Sequence, residues 1–154
     1  MRIRPAVAED RAFVLDLGER LIAFGDVPGR DRDAMIARDR AVIAAVLDGE
    51  SGADATILVA VDDDGRPLGF IHLTTADDYY SNSVTAHVAD VVVARAAEGR
   101  GVGAALLAAA EDWARARRFT LLTLNVFTAN HRARALYERL GFAEEWIRCI
   151  KRLG

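Results

Sequence analysis

Three glycines stand at alternate positions in the stretch Glu98-Gly99-Arg100-Gly101-Val102-Gly103-Ala104-Ala105-Leu106, or EGRGVGAAL. An apolar run at residues 91–93 precedes it, and a segment with helical periodicity follows it. Where a strand leads through a glycine-rich turn into a helix, free backbone N–H groups and the helix dipole point towards one position. The stretch therefore predicts a binding site for the phosphates of a small molecule.

Two nucleotide-binding motifs fit this stretch poorly. A P-loop needs lysine and then serine or threonine after its last glycine, and the stretch has no lysine. A dinucleotide fingerprint can be aligned with Gly99, Gly101 and Ala104, but the next predicted strand, FTLLTLNVF, has no acidic residue to hold a ribose. A glycine-rich turn without a ligand stays open as a third interpretation, although the clear strand and helix beside it argue against that interpretation.

Length and composition are typical of one globular domain. The 154 residues are 52% hydrophobic and 28% charged, so we expect a single domain over residues 1–154. The net charge of −3 argues against a general nucleic-acid binder. The sequence shows no signal peptide and no membrane span, and with Cys149 as its single cysteine an intrachain disulfide is impossible. We therefore expect a cytoplasmic protein that binds neither nucleic acid nor a membrane.

Hydrophobic periodicity predicts the element order βααβββαβαβ. The predicted strands cover residues 2–6, 57–61, 68–73, 85–93, 119–127 and 144–152, and the predicted helices cover residues 8–24, 31–48, 101–118 and 130–140. This order predicts a three-layer α/β (α+β) domain whose sheet is mostly antiparallel at its start.

A second motif follows the predicted strand 119–127. It reads Asn130-His131-Arg132-Ala133-Arg134-Ala135-Leu136-Tyr137-Glu138-Arg139-Leu140-Gly141-Phe142. Together the two stretches resemble the GNAT family, the GCN5-related N-acetyltransferases. That family has Gln/Arg-x-x-Gly-x-Gly/Ala at its acetyl-CoA site and Asn-x-x-Ala-x-x-Leu-Tyr-x-x-x-Gly-Phe as its next block. The resemblance implies the GNAT fold, a central mixed, mostly antiparallel twisted sheet with helices on both faces.

The resemblance also implies an N-acetyltransferase that moves acetyl from acetyl-CoA directly to an amine through a tetrahedral intermediate. The turn would hold the pyrophosphate, the strand backbone the pantetheine arm, and the start of the fourth helix the rest of the CoA arm. The residues implied are Glu98, Gly99, Arg100, Gly101, Val102, Gly103 and Ala104 in the turn, Val91 and Val93 in the strand, and Asn130, Ala133 and Tyr137 in the helix. Asn130 also suits a helix N-cap.

Glu98 departs from the Gln or Arg that the family usually has at this position. A carboxylate that points towards a pyrophosphate is unfavourable. We therefore expect the side chain of Glu98 to point into solvent and Arg100 to supply the compensating charge.

Tyr137 has two interpretations. It shares an apolar helix face with Ala133, Leu136 and Leu140, which is typical of a core aromatic residue. The resemblance implies instead that its phenol lies near the CoA sulfur and protonates the departing thiolate. A phenol of pKa ~10 can donate to a thiolate whose acid has a pKa of ~8.5. We favour the catalytic role, because the Leu-Tyr pair lies within an intact motif.

The strand AHVADVVV offers His87 and Asp90 as bases for the amine. Strict alternation places His87 on one face, with Val91 and Val93, and Asp90 on the other. The resemblance implies a base at the position of His87 or Ala89. Alanine cannot serve, so His87 is preferred. Asp90 stays open as a catalytic group or as a structural hydrogen-bond acceptor.

Other polar residues are given structural roles. His72 and His131 lack partners at metal-ligand spacing, so we expect no metal. The segment at residues 77–82 is either a solvated loop, which we prefer, or part of a site for a cationic amine.

Several questions stay open at this point. The acceptor is a polyamine, an amino acid, a drug or a protein amine, and a non-catalytic acyl-CoA-binding regulatory module on the same fold is the alternative to an enzyme. The last predicted strand, EEWIRCIKR, has apolar residues on both faces, which favours a homodimer.

Overall fold

A five-stranded sheet with the strand order β1-β2-β3-β4-β5 organises the chain. The computed structural model describes residues 1–25, 27–52 and 54–153. The first four strands are antiparallel neighbours, and β5 runs parallel to β4. The strands are β1 (Arg2–Pro5), β2 (Thr56–Val61), β3 (Pro67–Asp78), β4 (Ser83–Val93) and β5 (Leu122–Leu124). The predicted mixed, mostly antiparallel sheet is confirmed.

Four α-helices accompany the sheet: α1 (Arg11–Gly18), α2 (Arg32–Leu47), α3 (Val102–Ala116) and α4 (His131–Arg139). The predicted helix at residues 8–24 is shorter, because 3-10 turns at Ala8–Asp10 and Glu19–Ile22 flank α1. A Cβ atom at Gly18 would lie 3.2 Å from Ile43 Cδ1, so the glycine lets α2 pack closely against the end of α1. Asp31 caps α2 by accepting a hydrogen bond from the N–H of Ala34 at 2.7 Å.

Helices cover both faces of the sheet, as predicted. One face packs against α1 and α2, and its fully buried residues include Val14, Ile43, Val59, Val61 and Phe70. The other face packs against α3, with buried Ile71, Leu73, Leu106, Leu107 and Ala110, and the apolar side of α4 joins this core. Apolar residues on both faces of β2 and β3 explain why these strands are central in the sheet.

The strand β4 contains a β-bulge at Ala89. Pairing with β3 joins Asp90 to His72 and Val88 to Leu73, so Ala89 has no partner in the register. A bulge adds one residue to a strand and reverses the alternation of the side chains beyond it.

The bulge changes which side chains of β4 share a face. Val88 packs in the core beside α3, whereas Val92 packs in the core beneath α1 and α2. His87, next to Val88, and Asp90, two residues before Val92, therefore both lie on the face of α1 and α2. The alternation expected from the sequence, which placed His87 and Asp90 on opposite faces, is wrong.

The strand β5 separates from β4 after a short pairing. Leu122–Leu124 pairs with residues 86–88, and among the described residues no strand continues this pairing along the rest of β4. The strand predicted at residues 119–127 is therefore only three residues long in the sheet. Phe127, expected to be buried, is partly exposed and stacks on Phe24 with ring centroids 5.2 Å apart.

The strand predicted at residues 144–152 is absent from the described structure. A strand needs the backbone groups of a neighbour, and the three residues of β5 offer little edge for pairing. Glu144 instead forms an ion pair with Arg134 at 2.6 Å, and Trp146 and Ile147 are 62% and 66% exposed. Alternating apolar residues were therefore an insufficient signal for a strand in this segment.

Candidate active site

The start of α3 forms an open group of backbone donors. Gly101 is the N-cap residue with φ of 78°, a left-handed conformation that favours glycine, and no side chain in the described part of the chain caps it. The N–H groups of Val102, Gly103 and Ala104 in the first turn therefore have no helical partner. This arrangement fits a pyrophosphate, because the N–H groups and the helix dipole attract negative charge at the same place.

Gly103 allows a close contact between α3 and α4. A Cβ atom at this position would lie 3.3 Å from Leu136 Cδ2 and 3.7 Å from Val93 Cγ2. The glycine therefore lets the first turn of α3, the end of β4 and α4 pack together. Through this contact the donors at the start of α3 lie next to the second motif.

Glu98 does not point freely into solvent, and Arg100 is not its partner. Its Oε1 atom accepts from Arg20 Nη2 at 2.7 Å, and its Oε2 atom accepts from Arg132 Nη1 at 2.5 Å. These two hydrogen bonds, from Arg20 first and then from Arg132, lower the pKa of Glu98 to about 2. The expected compensation of charge exists, but two other arginines supply it.

The backbone of β4 presents hydrogen-bonding groups where β5 has separated. The N–H of Ala94 donates to the carbonyl of Leu68 at 2.8 Å, on the side of β3. Backbone groups alternate in direction along an antiparallel strand, so those of Val91 and Val93 face the open side. The binding of the pantetheine arm to these groups stays a prediction.

The second motif forms α4, and Asn130 caps it. Asn130 Oδ1 accepts from the N–H of Ala133 at 3.2 Å, which confirms the N-cap prediction. The side-chain amide of Asn130 keeps its N–H donors for another group. Ala133 lies in the first turn of the helix and is half-buried.

Tyr137 is half-buried on the apolar side of α4. Its ring packs against the core of α3 and lies 5.8 Å from the ring of Phe142, centroid to centroid. Burial raises the pKa of Tyr137 above that of a free phenol. The side chain therefore keeps its hydroxyl proton at neutral pH. This position fits both roles predicted for Tyr137, a core aromatic residue and the acid that protonates the thiolate.

His87 is hydrogen-bonded to Thr123 through one of its ring nitrogens. Thr123 Oγ1 donates its hydroxyl hydrogen to the carbonyl of Ala86 at 3.2 Å. His87 Nδ1 lies 2.8 Å from the same hydroxyl, which accepts from Nδ1 when its one hydrogen goes to the carbonyl. In the neutral ring, Nε2 then carries the free lone pair. Burial lowers the pKa of His87, which keeps the ring neutral, and the negative charge of Asp90 partly opposes this effect.

Asp90 lies in a polar group on the same face of the sheet. Its Oδ2 atom accepts from Nδ1 of the buried His72 at 2.9 Å, as the structural interpretation expects, and a catalytic role of Asp90 stays a prediction. On α2, Asp39 lies one turn before the buried Ile43 and faces the sheet with it. The pKa of Asp39 is raised by burial and by the negative charge of Asp90.

The structure brings some predicted residues together and leaves others apart. His87 and Asp90 share one face of β4, while the glycine turn, the open side of β4 and α4 meet at the other face. Sequence reasoning missed Arg20, Asp39, Thr123 and Arg132. Thr123 had one usable signal, because it is a hydroxyl residue in the strand predicted next to His87. Arg20 and Asp39 lie in helical segments among other charged residues and had none.

The segment at residues 77–82 forms the end of β3 and the turn that leads into β4. Asp78 Oδ1 accepts from the N–H groups of Tyr80 and Ser81 at 2.8 and 3.3 Å, so this carboxylate stabilises the turn. Tyr79 and Tyr80 are largely exposed. The preferred interpretation as a solvated loop fits this geometry.

Two further observations concern metals and membranes. Within residues 1–25, 27–52 and 54–153, no three His, Cys, Asp or Glu side chains come together as metal ligands. The expectation that the protein needs no metal stays a prediction. The helices in this part of the chain are all too short or too polar to cross a membrane.

Comparison with known proteins identifies relatives of this chain. Residues 26–142 match the family model described as Acetyltransferase (GNAT) family. The chain is 33% identical over 124 residues to aminoglycoside N(6')-acetyltransferase type 1 of Klebsiella aerogenes, covering 78% of this chain and 81% of that protein. It is 32% identical over 156 positions to a mycothiol acetyltransferase of Pseudarthrobacter chlorophenolicus, covering 92% of this chain and 48% of that protein.

Solved structures show the same fold. A putative acetyl transferase from Pyrococcus furiosus superimposes with a TM-score of 0.78 at 22% identity, and the match covers 99% of each chain. This likeness confirms the predicted fold class.

The glycine turn gives a first prediction. Replacing Gly101 by Val forces a β-branched residue into positive φ at the start of α3, which costs on the order of 1–3 kcal/mol of stability. We expect CoA to raise the melting temperature of the natural protein, and we expect this variant to lose that rise. ATP and NAD should give no such rise.

Gly65 offers a matched control, because it has φ of 83° with open space around it, in the turn between β2 and β3. Gly65→Val should lose similar stability and keep the CoA response. Equal loss of the CoA response in both variants, or equal stabilisation by NAD, would contradict the assignment of the phosphate site.

Proposed function

The chain belongs to the acetyltransferase (GNAT) family and is an acetyl-CoA-dependent N-acetyltransferase; we propose that it acetylates an amine of a small polycationic molecule. In this proposal His87 is the general base and Tyr137 is the general acid. The relatives are named acetyltransferases, and nothing favours the non-catalytic alternative. The observation that carries the mechanism is the hydrogen bond between His87 Nδ1 and Thr123 Oγ1 at 2.8 Å.

The base must remove a proton from the amine, because only a neutral amine attacks a thioester carbonyl. In this proposal Thr123 accepts from Nδ1 of His87 and donates to the carbonyl of Ala86, which leaves the lone pair on Nε2 available. His87 lies within the short segment of β4 that pairs with β5, one residue before the pairing ends. This position supports proton removal by His87 directly or through one water molecule.

The acid and the cofactor site lie on the other side of β4. In this proposal, the N–H groups at the start of α3 bind the pyrophosphate, and the backbone groups of Val91 and the N–H of Val93 bind the pantetheine arm. Acetyl-CoA supplies the activated acyl group when bound. The phenol of Tyr137 donates its proton to the departing sulfur, and burial keeps that proton in place until the C–S bond breaks.

The acceptor is proposed from the charge on the face of α1 and α2. Asp39 and Asp90 are close enough for the charge of Asp90 to raise the pKa of Asp39. A cation bound between two carboxylates relieves their repulsion. The Klebsiella relative is named for acetylation of aminoglycosides, which are polycationic. Both points favour an acceptor that has a second ammonium group besides the reacting amine.

The cellular setting and assembly are part of the same proposal. The single cysteine suits a cytoplasmic protein. Exposed Trp146, Ile147 and Ile150 in the segment after α4 support a homodimer, which light scattering at micromolar concentration would detect as twice the chain mass. A monomer mass would contradict that assembly.

The pH dependence of turnover tests the role of His87. The base acts only when it is unprotonated, so the rate should rise with pH through the pKa of His87. Since burial lowers this pKa, the midpoint of the rise should lie below about 6.5, the ordinary value for histidine. The measurement is kcat/KM for acetyl-CoA at a saturating amine, from pH 4.5 to 8.

Variants of His87 and of Thr123 distinguish the contribution of the base from that of its hydrogen-bond partner. His87→Gln should remove the rise, and Thr123→Val should lower kcat severalfold because Nδ1 loses its acceptor. Thr123→Ser keeps the hydroxyl and should retain most of the rate. A natural enzyme with a flat profile, or an unchanged profile in His87→Gln, would contradict the assignment of the base.

Tyr137→Phe tests the acid, because it keeps the ring and removes the donor. Turnover should fall by about 10²–10⁴-fold, the usual contribution of general acid–base catalysis, while the affinity for CoA changes little. Tyr79→Phe is a matched control in an exposed turn and should leave turnover unchanged. If Tyr137 has only a core role, Tyr137→Phe will turn over like the natural enzyme.

Asp39→Asn tests the acceptor class. With an aminoglycoside as the acceptor, the variant should show a severalfold higher KM, because one charge of the carboxylate pair is lost. With a monoamine amino sugar, the KM should change little. Asp33→Asn, at an exposed position in the first turn of the same helix, is the control and should leave both KM values unchanged. Equal effects of Asp39→Asn on both acceptors would count against a polycationic substrate.

A further inference from the structure

Arg20 holds both ends of the connection from β4 to the glycine turn. It lies in the 3-10 turn Glu19–Ile22, after α1. Its Nη1 atom donates to the carbonyl of Val93, the last residue of β4, at 2.6 Å. Its Nη2 atom donates to Glu98 Oε1 at 2.7 Å, directly before the glycines. One guanidinium therefore spans residues 93–98.

The contact continues to α4 through Glu98. The second oxygen of this carboxylate accepts from Arg132 Nη1 at 2.5 Å, two residues after the N-cap of α4. The side chains of Arg20 and Glu98 are 28% and 27% exposed, so both are largely shielded from water. One carboxylate between two guanidinium groups leaves a net positive charge beside the turn that receives the pyrophosphate.

The charge of Glu98 is thereby made compatible with a phosphate site. The pKa of Glu98 is lowered to about 2, chiefly by the hydrogen bond from Arg20, so the side chain is ionised at any pH at which the protein works. An unpaired carboxylate at this place would repel a pyrophosphate. Paired with Arg20 and Arg132, the same carboxylate is a fixed acceptor that joins three elements.

We propose that Arg20 is a positioning residue for acetyl-CoA, which holds the carbonyl of Val93 and the carboxylate of Glu98 so that the open side of β4 and the glycine turn bind one cofactor together. This inference rests on the proposed binding of acetyl-CoA along these two elements. Arg20 lies outside both motifs, 78 residues before Glu98.

The physical basis is preorganisation. The cofactor has to contact backbone groups of β4 and of the turn at once, and the connection between them has only a short 3-10 turn, Arg95–Ala97, of its own. A guanidinium is a planar fork with donors in fixed directions, so it fixes the distance between its two acceptors. If the connection is already ordered, binding the cofactor costs less conformational entropy.

The same geometry explains why lysine is a poor substitute. An ammonium group is a compact donor on a flexible stem and lacks the fixed fork that reaches a carbonyl and a carboxylate in defined directions. Arg20→Lys should therefore keep the charge and lose part of the positioning. Arg20→Met removes both hydrogen bonds and keeps the apolar stem of the side chain.

The test measures CoA affinity by calorimetry and the steady-state constants for acetyl-CoA in the full chain. Arg20→Met should raise the Kd of CoA and the KM of acetyl-CoA by about tenfold, the effect of losing one or two hydrogen bonds to a charged group, with kcat changed less than about twofold. Arg20→Lys should lie between Arg20→Met and the natural protein. A selective effect on affinity is one that a merely structural role would not produce.

Arg11 provides a matched control. It makes a two-pronged ion pair with Asp48 at 3.0 and 2.9 Å, which joins α1 to the end of α2 away from the glycine turn. Arg11→Met should leave the Kd of CoA unchanged. If Arg20→Met binds CoA as Arg11→Met does, the positioning role is overturned while the proposed function stands. If the natural protein does not bind CoA, both are overturned.

Glu98→Gln gives a second test that does not depend on Arg20→Met folding. Glutamine keeps the shape and one acceptor oxygen, so one of the two arginine contacts is lost, and the Kd of CoA should rise severalfold. Tighter CoA binding by Glu98→Gln would show that the carboxylate repels the cofactor. Tighter binding by Arg20→Met would show that Arg20 competes for the carbonyl of Val93. Either result overturns the proposal.

Discussion

The separation of β5 from β4 is the constraint on which the rest of the site depends. The two strands pair only where Leu122–Leu124 meets residues 86–88, and beyond that point no described strand pairs with this side of β4. In a closed sheet the backbone groups on this side would be used by a neighbouring strand. Because no described strand occupies this side, an extended ligand can pair with β4 much as a strand would, next to the start of α3, which no described side chain caps. The core on both sides holds β4 in place while one side of it stays open.

The bulge at Ala89 determines which side chains of β4 lie on each face of the sheet. On one face, His87 and Asp90 meet the polar residues beneath α2, where an amine acceptor is proposed to bind. On the other face, α3 and α4 bring together the glycine turn and Tyr137. If residues 87–90 alternated regularly, with no bulge, His87 and Asp90 would lie on opposite faces. A change of one residue in the register therefore decides whether the base faces the acceptor side together with a carboxylate.

Much of this arrangement could be predicted from the sequence, because local signals determine it. The glycine turn, the start of α4 at Asn130 and the order of the main elements depend on glycine conformations, capping and periodicity within a few residues. The bulge could not be predicted, since a pattern of alternation carries no mark of one additional residue. The partners of Glu98 could not be predicted either, because Arg20 and Arg132 are 78 and 34 residues away in the chain. The last predicted strand failed because periodicity does not say whether a neighbouring edge exists.

The most direct test of the proposed base is the protonation of its two ring nitrogens, measured by 15N NMR on the histidine-labelled protein during a pH titration. The account predicts that His87 titrates below the ordinary value for histidine and that its neutral ring carries the proton on Nδ1, with Nε2 free, as the hydrogen bond to Thr123 requires. A neutral ring with its proton on Nε2, or a pKa above the ordinary value, would contradict it, because His87 would then lack a free lone pair on Nε2 at neutral pH.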